Sequence, residues 1–268
     1  MTEFPYAIEV DSLTKRFRVK HYSYSLKGAL MSGVRRRGQV EPLTALDNIS
    51  FKVPHGETLA VIGWNGSGKS TLLSILARVY KATSGSARLT NREGKSARLA
   101  PLLALGAGFH PELSGLENIH FYGSLLGLTR AQLDGKQEEI IAFAELESKI
   151  DTVMHSWNDG AKLRLGFAIA INTDPDIILV DEVLAVGDEA FQNRCFRKIE
   201  ALQQEGKTIV FVSHDLHVVE RVATRVLWLN KGTIRQDGDV LEVLSAYRSA
   251  AAKTAGMSEA CEALKDSL

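Results

Sequence analysis

The chain has 268 residues, 45% hydrophobic and 24% charged, enough apolar material for one or two domains with a buried core. Lys plus Arg and Asp plus Glu balance at 32 each, which points away from a nucleic-acid partner and from a polyanionic tail. No stretch approaches the roughly 18 consecutive apolar residues of a membrane-crossing helix, and the longest apolar run, at 99–109, is broken by Pro101, Gly106 and Gly108.

Glu3 and Glu9 stand near the start, with no basic stretch leading into an apolar core, a pattern unlike a secretory signal. A strand is predicted at 7–10. The segment 21–42 comes next, with Tyr22, Tyr24, Leu26, Leu30 and Arg35-Arg36-Arg37. It reads as a short amphipathic helix plus a basic loop: either a solvated excursion or an element that meets a partner or the lipid surface. Strands at 49–53 and 58–62 precede a helix at 69–78. Helices at 115–128, 130–146 and 161–171 then form an all-helical stretch, about 113–172, set between strand-bearing parts. Two of these helices begin with capping boxes, Ser114 with Glu117 and Thr129 with Gln132. Continuous β-branched apolar runs at 177–180, 208–212 and 226–229 predict strands buried on both faces. They alternate with helices at 188–204 and 240–251. The tail 252–268 carries Met257, Cys261, Leu264 and Leu268 at helical spacing, as one short helix or a disordered end. Cys195 and Cys261 lack metal-ligand spacing and receive no role.

Three motifs carry chemistry. Gly63-Trp64-Asn65-Gly66-Ser67-Gly68-Lys69-Ser70-Thr71 fits G-x-x-x-x-G-K-[ST], after a strand and opening a helix. Its glycines let backbone N–H groups wrap phosphate oxygens, and the helix N-terminus adds a favourable dipole. Lys69 supplies charge for the β and γ phosphates of a nucleotide, and Ser70 a hydroxyl for Mg²⁺. Ile177-Ile178-Leu179-Val180 ends in Asp181-Glu182, carboxylates at the C-terminal end of a buried strand. Asp181 suits Mg²⁺, directly or through its water, and Glu182 suits polarising the attacking water. Val212-Ser213-His214-Asp215 comes after another buried strand, and its position lets His214 face the same site and bond a γ-phosphate oxygen or the water.

In this order and spacing the motifs resemble the ATP-binding cassette family, over nearly the whole chain. The resemblance implies an α/β, P-loop NTPase core with a mostly parallel sheet, an N-terminal antiparallel β part and an inserted helical subdomain. It would span 1–251 as the nucleotide-binding domain. Phe17 lies where the family stacks an aromatic on adenine, and Asp188 of Ala185-Val186-Gly187-Asp188 where it has the acid of its D-loop. The family signature, Leu-Ser-Gly-Gly-Gln, reaches across a dimer to the partner's ATP. Here Trp157-Asn158-Asp159-Gly160-Ala161 stands in its place: Asn158 and Gly160 are the nucleotide-facing candidates, and Asp159 brings a carboxylate toward a phosphate. The usual Q-loop glutamine is absent. Leu105-Gly106-Ala107-Gly108-Phe109-His110-Pro111-Glu112-Leu113 and Val183-Leu184-Ala185-Val186-Gly187-Asp188 look like the branch that exports bacterial O-antigen, capsule and teichoic acid precursors. That resemblance implies a Mg²⁺-dependent ATPase on the cytoplasmic face of the inner membrane, a homodimer bound to a pair of polytopic permease subunits, touching the membrane through them. Alternatives are another cargo (lipid, peptide or drug), a nucleotide-gated scaffold with little turnover, and a soluble cassette ATPase without a transporter.

Overall fold

The computed structural model describes residues 4–20, 40–103, 108–181 and 188–265. The greater part of the predicted insertion, the centre of the Q-loop segment, Glu182 and the 183–187 stretch lie outside the described residues.

In chain order the strands are β1 (Tyr6–Lys20), β2 (Val40–Pro54), β3 (Thr58–Ile62), β4 (Ser84–Leu89), β5 (Leu99–Leu102), β6 (Ile177–Val180), β7 (Thr208–Val212), β8 (Arg225–Asn230) and β9 (Thr233–Gly238). The helices are α1 (Lys69–Leu76), α2 (Gly115–Leu125), α3 (Arg130–Ala144), α4 (Asp159–Ile171), α5 (Glu189–Gln204), α6 (Leu216–Val222) and α7 (Val240–Lys265). A six-stranded sheet runs β5-β6-β7-β3-β8-β9, parallel except for the antiparallel β8–β9 pair. A smaller antiparallel sheet runs β2-β1-β4. This is the expected α/β architecture.

The period-two geometry of a strand explains why the central runs are apolar throughout. In β3, Leu59 and Val61 enter the core shared with the antiparallel sheet, whereas Ala60 and Ile62 enter the core under the helices. The same division holds in β6 (Ile177 and Leu179 against Ile178 and Val180) and in β7 (Val210 and Val212 against Ile209 and Phe211). Helix α1 fills the first core with Leu72, Leu73, Ile75 and Leu76.

Helices α2, α3 and α4 build a third core of their own. Helix α4 belongs to two cores at once. Leu165, Ala168 and Ile169 face the helical subdomain, and Phe167, Ala170 and Ile171 face the sheet. Phe167 also stacks on Phe143 at 5.8 Å. Truncating such a fully buried phenyl ring costs about 3–5 kcal/mol, so α4 is firmly tied to the sheet. Both predicted capping boxes form: Ser114 Oγ accepts from the Glu117 N–H at 3.2 Å and the Glu117 carboxylate accepts from the Ser114 N–H at 2.8 Å. Thr129 and Gln132 repeat the exchange at 3.4 and 2.9 Å.

Four elements escape the sequence pattern: β4, β5, β9 and α6. The helix expected to end at 251 continues unbroken through Lys265, so the tail boundary at 252 falls inside α7. No helix among the described residues is long and apolar enough to cross a membrane.

Candidate active site

Strands β6, β7 and β3 are adjacent, so the segments leaving their C-terminal ends stand side by side on one sheet edge. Asp181 leaves β6, Ser213-His214 leaves β7, and the 63–68 loop leaves β3. In open α/β sheets ligands bind outside this carboxyl edge.

The loop is built by backbone geometry that few residues tolerate. Gly68 sits at φ 108, and a Cβ there would lie 2.6 Å from the Ala45 carbonyl oxygen and 2.7 Å from Leu46 Cδ2. A Cβ on Gly63 would lie 2.2 Å from the Leu229 carbonyl oxygen. The loop is thus wedged between β2 and β8. The β8–β9 turn adds a bond, Gly232 N–H donating to the Ser67 carbonyl at 2.9 Å. Lys69 is buried and curls back over the loop, its ammonium donating to the carbonyls of Gly63 at 2.7 Å and Trp64 at 3.2 Å. Ser67 Oγ is buried without a hydrogen-bond partner among the described residues. A positively charged head over a bend of backbone, with an unspent hydroxyl beneath it, is a cradle for phosphate oxygens.

A cleft of about 350 Å³ opens over this loop. It is lined by Phe17, Leu43, Thr44, Ala45, Asn65, Gly66, Ser67, Gly68, Lys69, Ser70, Thr71 and His214. The structure therefore brings Phe17, the loop and His214 to one concavity. Phe17 is half-buried, edge-on to Tyr80 at 5.6 Å, with the Lys15 ammonium 4.8 Å from its ring centre. Leu43, Thr44 and Ala45 are cleft residues that no motif announces. The signal for them is strand pairing, since Phe17 faces Leu43 across the β1–β2 ladder.

Other expected site residues lie elsewhere. The Trp64 ring is not among the cleft-lining groups: it meets Trp228 at 5.5 Å and Tyr247 at 5.3 Å, and only its carbonyl engages Lys69. Asn158 is the N-cap of α4, accepting from the Ala161 N–H at 2.8 Å. Asp159 opens that helix with a side chain 95% exposed, 3.7 Å from the Lys162 ammonium. A Cβ on Gly160 would meet nothing nearer than Asn158 Oδ1 at 3.8 Å, so the glycine leaves open space in front of the helix end. Asp188 caps α5 through the Phe191 N–H at 2.9 Å. None of these four lines the cleft. They sit at two helix N-termini. Cys195 is buried away from the cleft, and burial pushes its thiol up to about 12, which leaves it inert.

Two oxygen-bearing side chains, of the kind a hard cation takes, stand at this sheet edge. Ser70 is exposed in the first turn of α1 beside the cleft, and Asp181 leaves β6 two strands away. Mg²⁺ is generally bound through one or two protein groups plus substrate phosphates and water, so the chemistry of these two side chains fits such an ion.

A parallel sheet whose central strand feeds a glycine-rich loop, a lysine and a helix defines a P-loop nucleotide-binding protein. The ABC transporter family model matches residues 46–185, and the chain belongs to that family. The chain is 39% identical to the O-antigen export system ATP-binding protein RfbB of Klebsiella pneumoniae over 248 residues, which cover 91% of this chain and 98% of that one. It is 40% identical to the RfbB protein of Myxococcus xanthus, covering 93% of this chain but 57% of that protein. It is 36% identical to the teichoic acids export ATP-binding protein TagH of Bacillus cereus, covering 91% and 43%. Among solved structures the fold resembles the dimeric post-hydrolysis state of the ATP-binding cassette MJ0796 bound to ADP and Pi, with a TM-score of 0.67 at 22% identity over 87% of this chain and 98% of that one. It also resembles an ATP-binding subunit of an ABC transporter, with a TM-score of 0.69 at 18% identity over 90% and 93%.

Proposed function

We propose that the chain is the ATP-hydrolysing subunit of an exporter of lipid-linked surface polysaccharide, of the O-antigen, capsule or teichoic acid type. Two copies close on ATP at the cytoplasmic face of the inner membrane, beneath a pair of transmembrane permease subunits. The observation that carries this reading is the cleft uniting Phe17, the phosphate loop and His214. The export branch is supported by relatives named for O-antigen and teichoic acid export.

The roles derive from position. Phe17 stacks on the base, and the 63–68 backbone with Lys69 holds the phosphates. Lys69 now bonds two loop carbonyls, so phosphate oxygens replace neutral acceptors with charged ones, which roughly doubles the strength of each bond. Ser70 and Asp181 would hold Mg²⁺, which would supply neutralisation of phosphate charge. His214 reaches the γ-phosphate from the neighbouring strand. Glu182, next to Asp181 in sequence, orients or activates the attacking water. Asn158, Gly160 and Asp188 complete the partner copy's site.

A second reading, a nucleotide-gated scaffold with little turnover, is favoured by one observation: an exposed carboxylate, Asp159, at the helix end meant to meet phosphate. Binding and turnover separate the two. On the motor reading the purified chain binds ATP, Lys69→Ala loses at least tenfold in affinity, and wild type releases phosphate. Binding without release supports the scaffold, and no binding by wild type overturns both. Cargo is tested by deleting the gene: loss of a surface polysaccharide supports the export reading, and unchanged surface glycan with another lost export contradicts it.

A further inference from the structure

The phosphate loop is pinned on three sides by backbone: the Leu229 carbonyl against Gly63, the Ala45 carbonyl against Gly68, and the Gly232–Ser67 bond. Its fourth support is made of side chains and comes from far along the chain. The Trp64 ring leaves the loop and packs between Trp228 of β8 and Tyr247 of α7. The three rings are mutually in contact, with Trp228 and Tyr247 at 5.2 Å, nearly perpendicular. Arg235 of β9 lies over Trp228 at 4.8 Å. The Trp228 indole nitrogen is buried and has no hydrogen-bond partner among the described residues. Its neighbours include two aromatic rings, those of Trp64 and Tyr247.

The same Trp64 whose ring is clamped offers its carbonyl to Lys69. Holding the ring fixes the peptide unit that Lys69 must leave when phosphate arrives. We propose that Tyr247 is a positioning residue for the phosphate loop, so that the seating of helix α7 and nucleotide occupancy are coupled through Trp64 and Trp228. The proposal rests on the ATP-binding reading above. Coupling of this kind is reciprocal: if α7 favours the binding-competent loop, bound nucleotide favours the docked α7. The contacts to Trp64 and Trp228 are made by the Tyr247 ring, so a phenyl ring at this position should serve as well.

The test uses the full chain with ATP as the probe, measured by calorimetry and single-turnover phosphate release. Tyr247→Ala is expected to raise the ATP Kd roughly 3- to 10-fold, the scale of one lost aromatic contact, while Tyr247→Phe restores it. Leu244→Ala removes a fully buried side chain from the same helix and the same core while leaving all three rings in place. It should lower Tm at least as much and leave Kd within twofold. The reciprocal readout is hydrogen exchange in α7: ATP should slow exchange at 240–253 in wild type and lose that effect in Tyr247→Ala. Wild type that binds ATP with an unchanged Kd in Tyr247→Ala overturns the coupling alone. A Leu244→Ala variant that weakens ATP as much as Tyr247→Ala also overturns it, since any loosening of α7 would then suffice. Wild type that does not bind ATP overturns the coupling together with the nucleotide reading.

Discussion

Asp159 carries a charge where the proposed dimer would bring a γ-phosphate, so Asp159→Asn removes that charge with almost no change in shape. At about 6 Å, one charge on each side repels by roughly 3 kcal/mol at an effective dielectric of 20, and by roughly 0.7 kcal/mol if the gap stays as wet as bulk water. The side chain is 95% exposed in the single chain, and Lys162 at 3.7 Å offsets part of the repulsion. The variant also loses the favourable meeting of an anion with the α4 N-terminus, about 0.3–1 kcal/mol of local stability. The two effects have opposite signs and separate cleanly. ATP-driven dimerisation should tighten about 3- to 100-fold for each of the dimer's two sites, the two gains multiplying, while Tm stays level or falls slightly. Sedimentation in saturating ATP measures it, with Glu182→Gln as the common background so that hydrolysis does not deplete the dimer. The gain should shrink as salt is raised from about 50 to about 500 mM, because the Debye length shortens. Equal or weaker dimerisation in Asp159→Asn would refute the reasoning and remove Asp159 from the partner's site.

Gly68→Ala should abolish ATP binding, because its Cβ would collide with the Ala45 carbonyl and Leu46. Gly66→Ala, which meets nothing within 4 Å, carries only left-handed strain of about 1–2 kcal/mol and should bind with a modest loss, as calorimetry would show. Arg225 joins three elements: it donates to both Asp237 oxygens at 2.6 and 2.7 Å, to Glu57 at 3.1 Å and to the Lys52 carbonyl at 2.9 Å. Arg225→Ala should cost about 2–4 kcal/mol in urea unfolding, and lysine should rescue little, since it lacks the fork. The hydrogen bond from Lys207 at 2.6 Å, helped by Arg98, holds the Asp174 carboxyl below its ordinary range despite some desolvation. A depressed carboxylate adds stability above its unfolded pKa of about 3.9 and loses it as pH falls toward the folded value. Asp174→Asn should therefore lower Tm at about pH 7, with the gap to wild type closing as pH falls from about 3.9 through the lower folded value; a gap that does not narrow at all between about pH 7 and the acid end of the range would contradict that assignment.

The cleft is legible in sequence because its chemistry is local. Nine consecutive residues define the loop, and the apolar runs of β3, β6, β7 and β8 announce strands covered on both faces. Elements that are one-sided or long-range stay hidden. β9 alternates exposed and half-buried positions in Thr233-Ile234-Arg235-Gln236-Asp237-Gly238, and β4 is mostly exposed, so neither shows an apolar run. Helix α6 has seven residues, too short for its period to register. Leu43 and Thr44 reach the cleft only through the ladder with β1. The place of Trp64 in the loop points to the nucleotide, yet its ring joins Trp228 and Tyr247, partners separated from it by more than 150 positions of chain. One sequence signal does point there: Val243, Leu244 and Tyr247 share the core-facing side of α7 at helical spacing.

ATP turnover by wild type and Glu182→Gln, with dimer formation tracked in the same samples, bears most directly on the proposed motor. The account predicts that wild type releases phosphate and returns to monomer, whereas Glu182→Gln binds ATP and stays dimeric with turnover reduced at least a hundredfold. Equal turnover in the two would contradict the role given to Glu182. ATP binding without turnover in wild type would contradict the motor and leave the nucleotide-gated scaffold as the function.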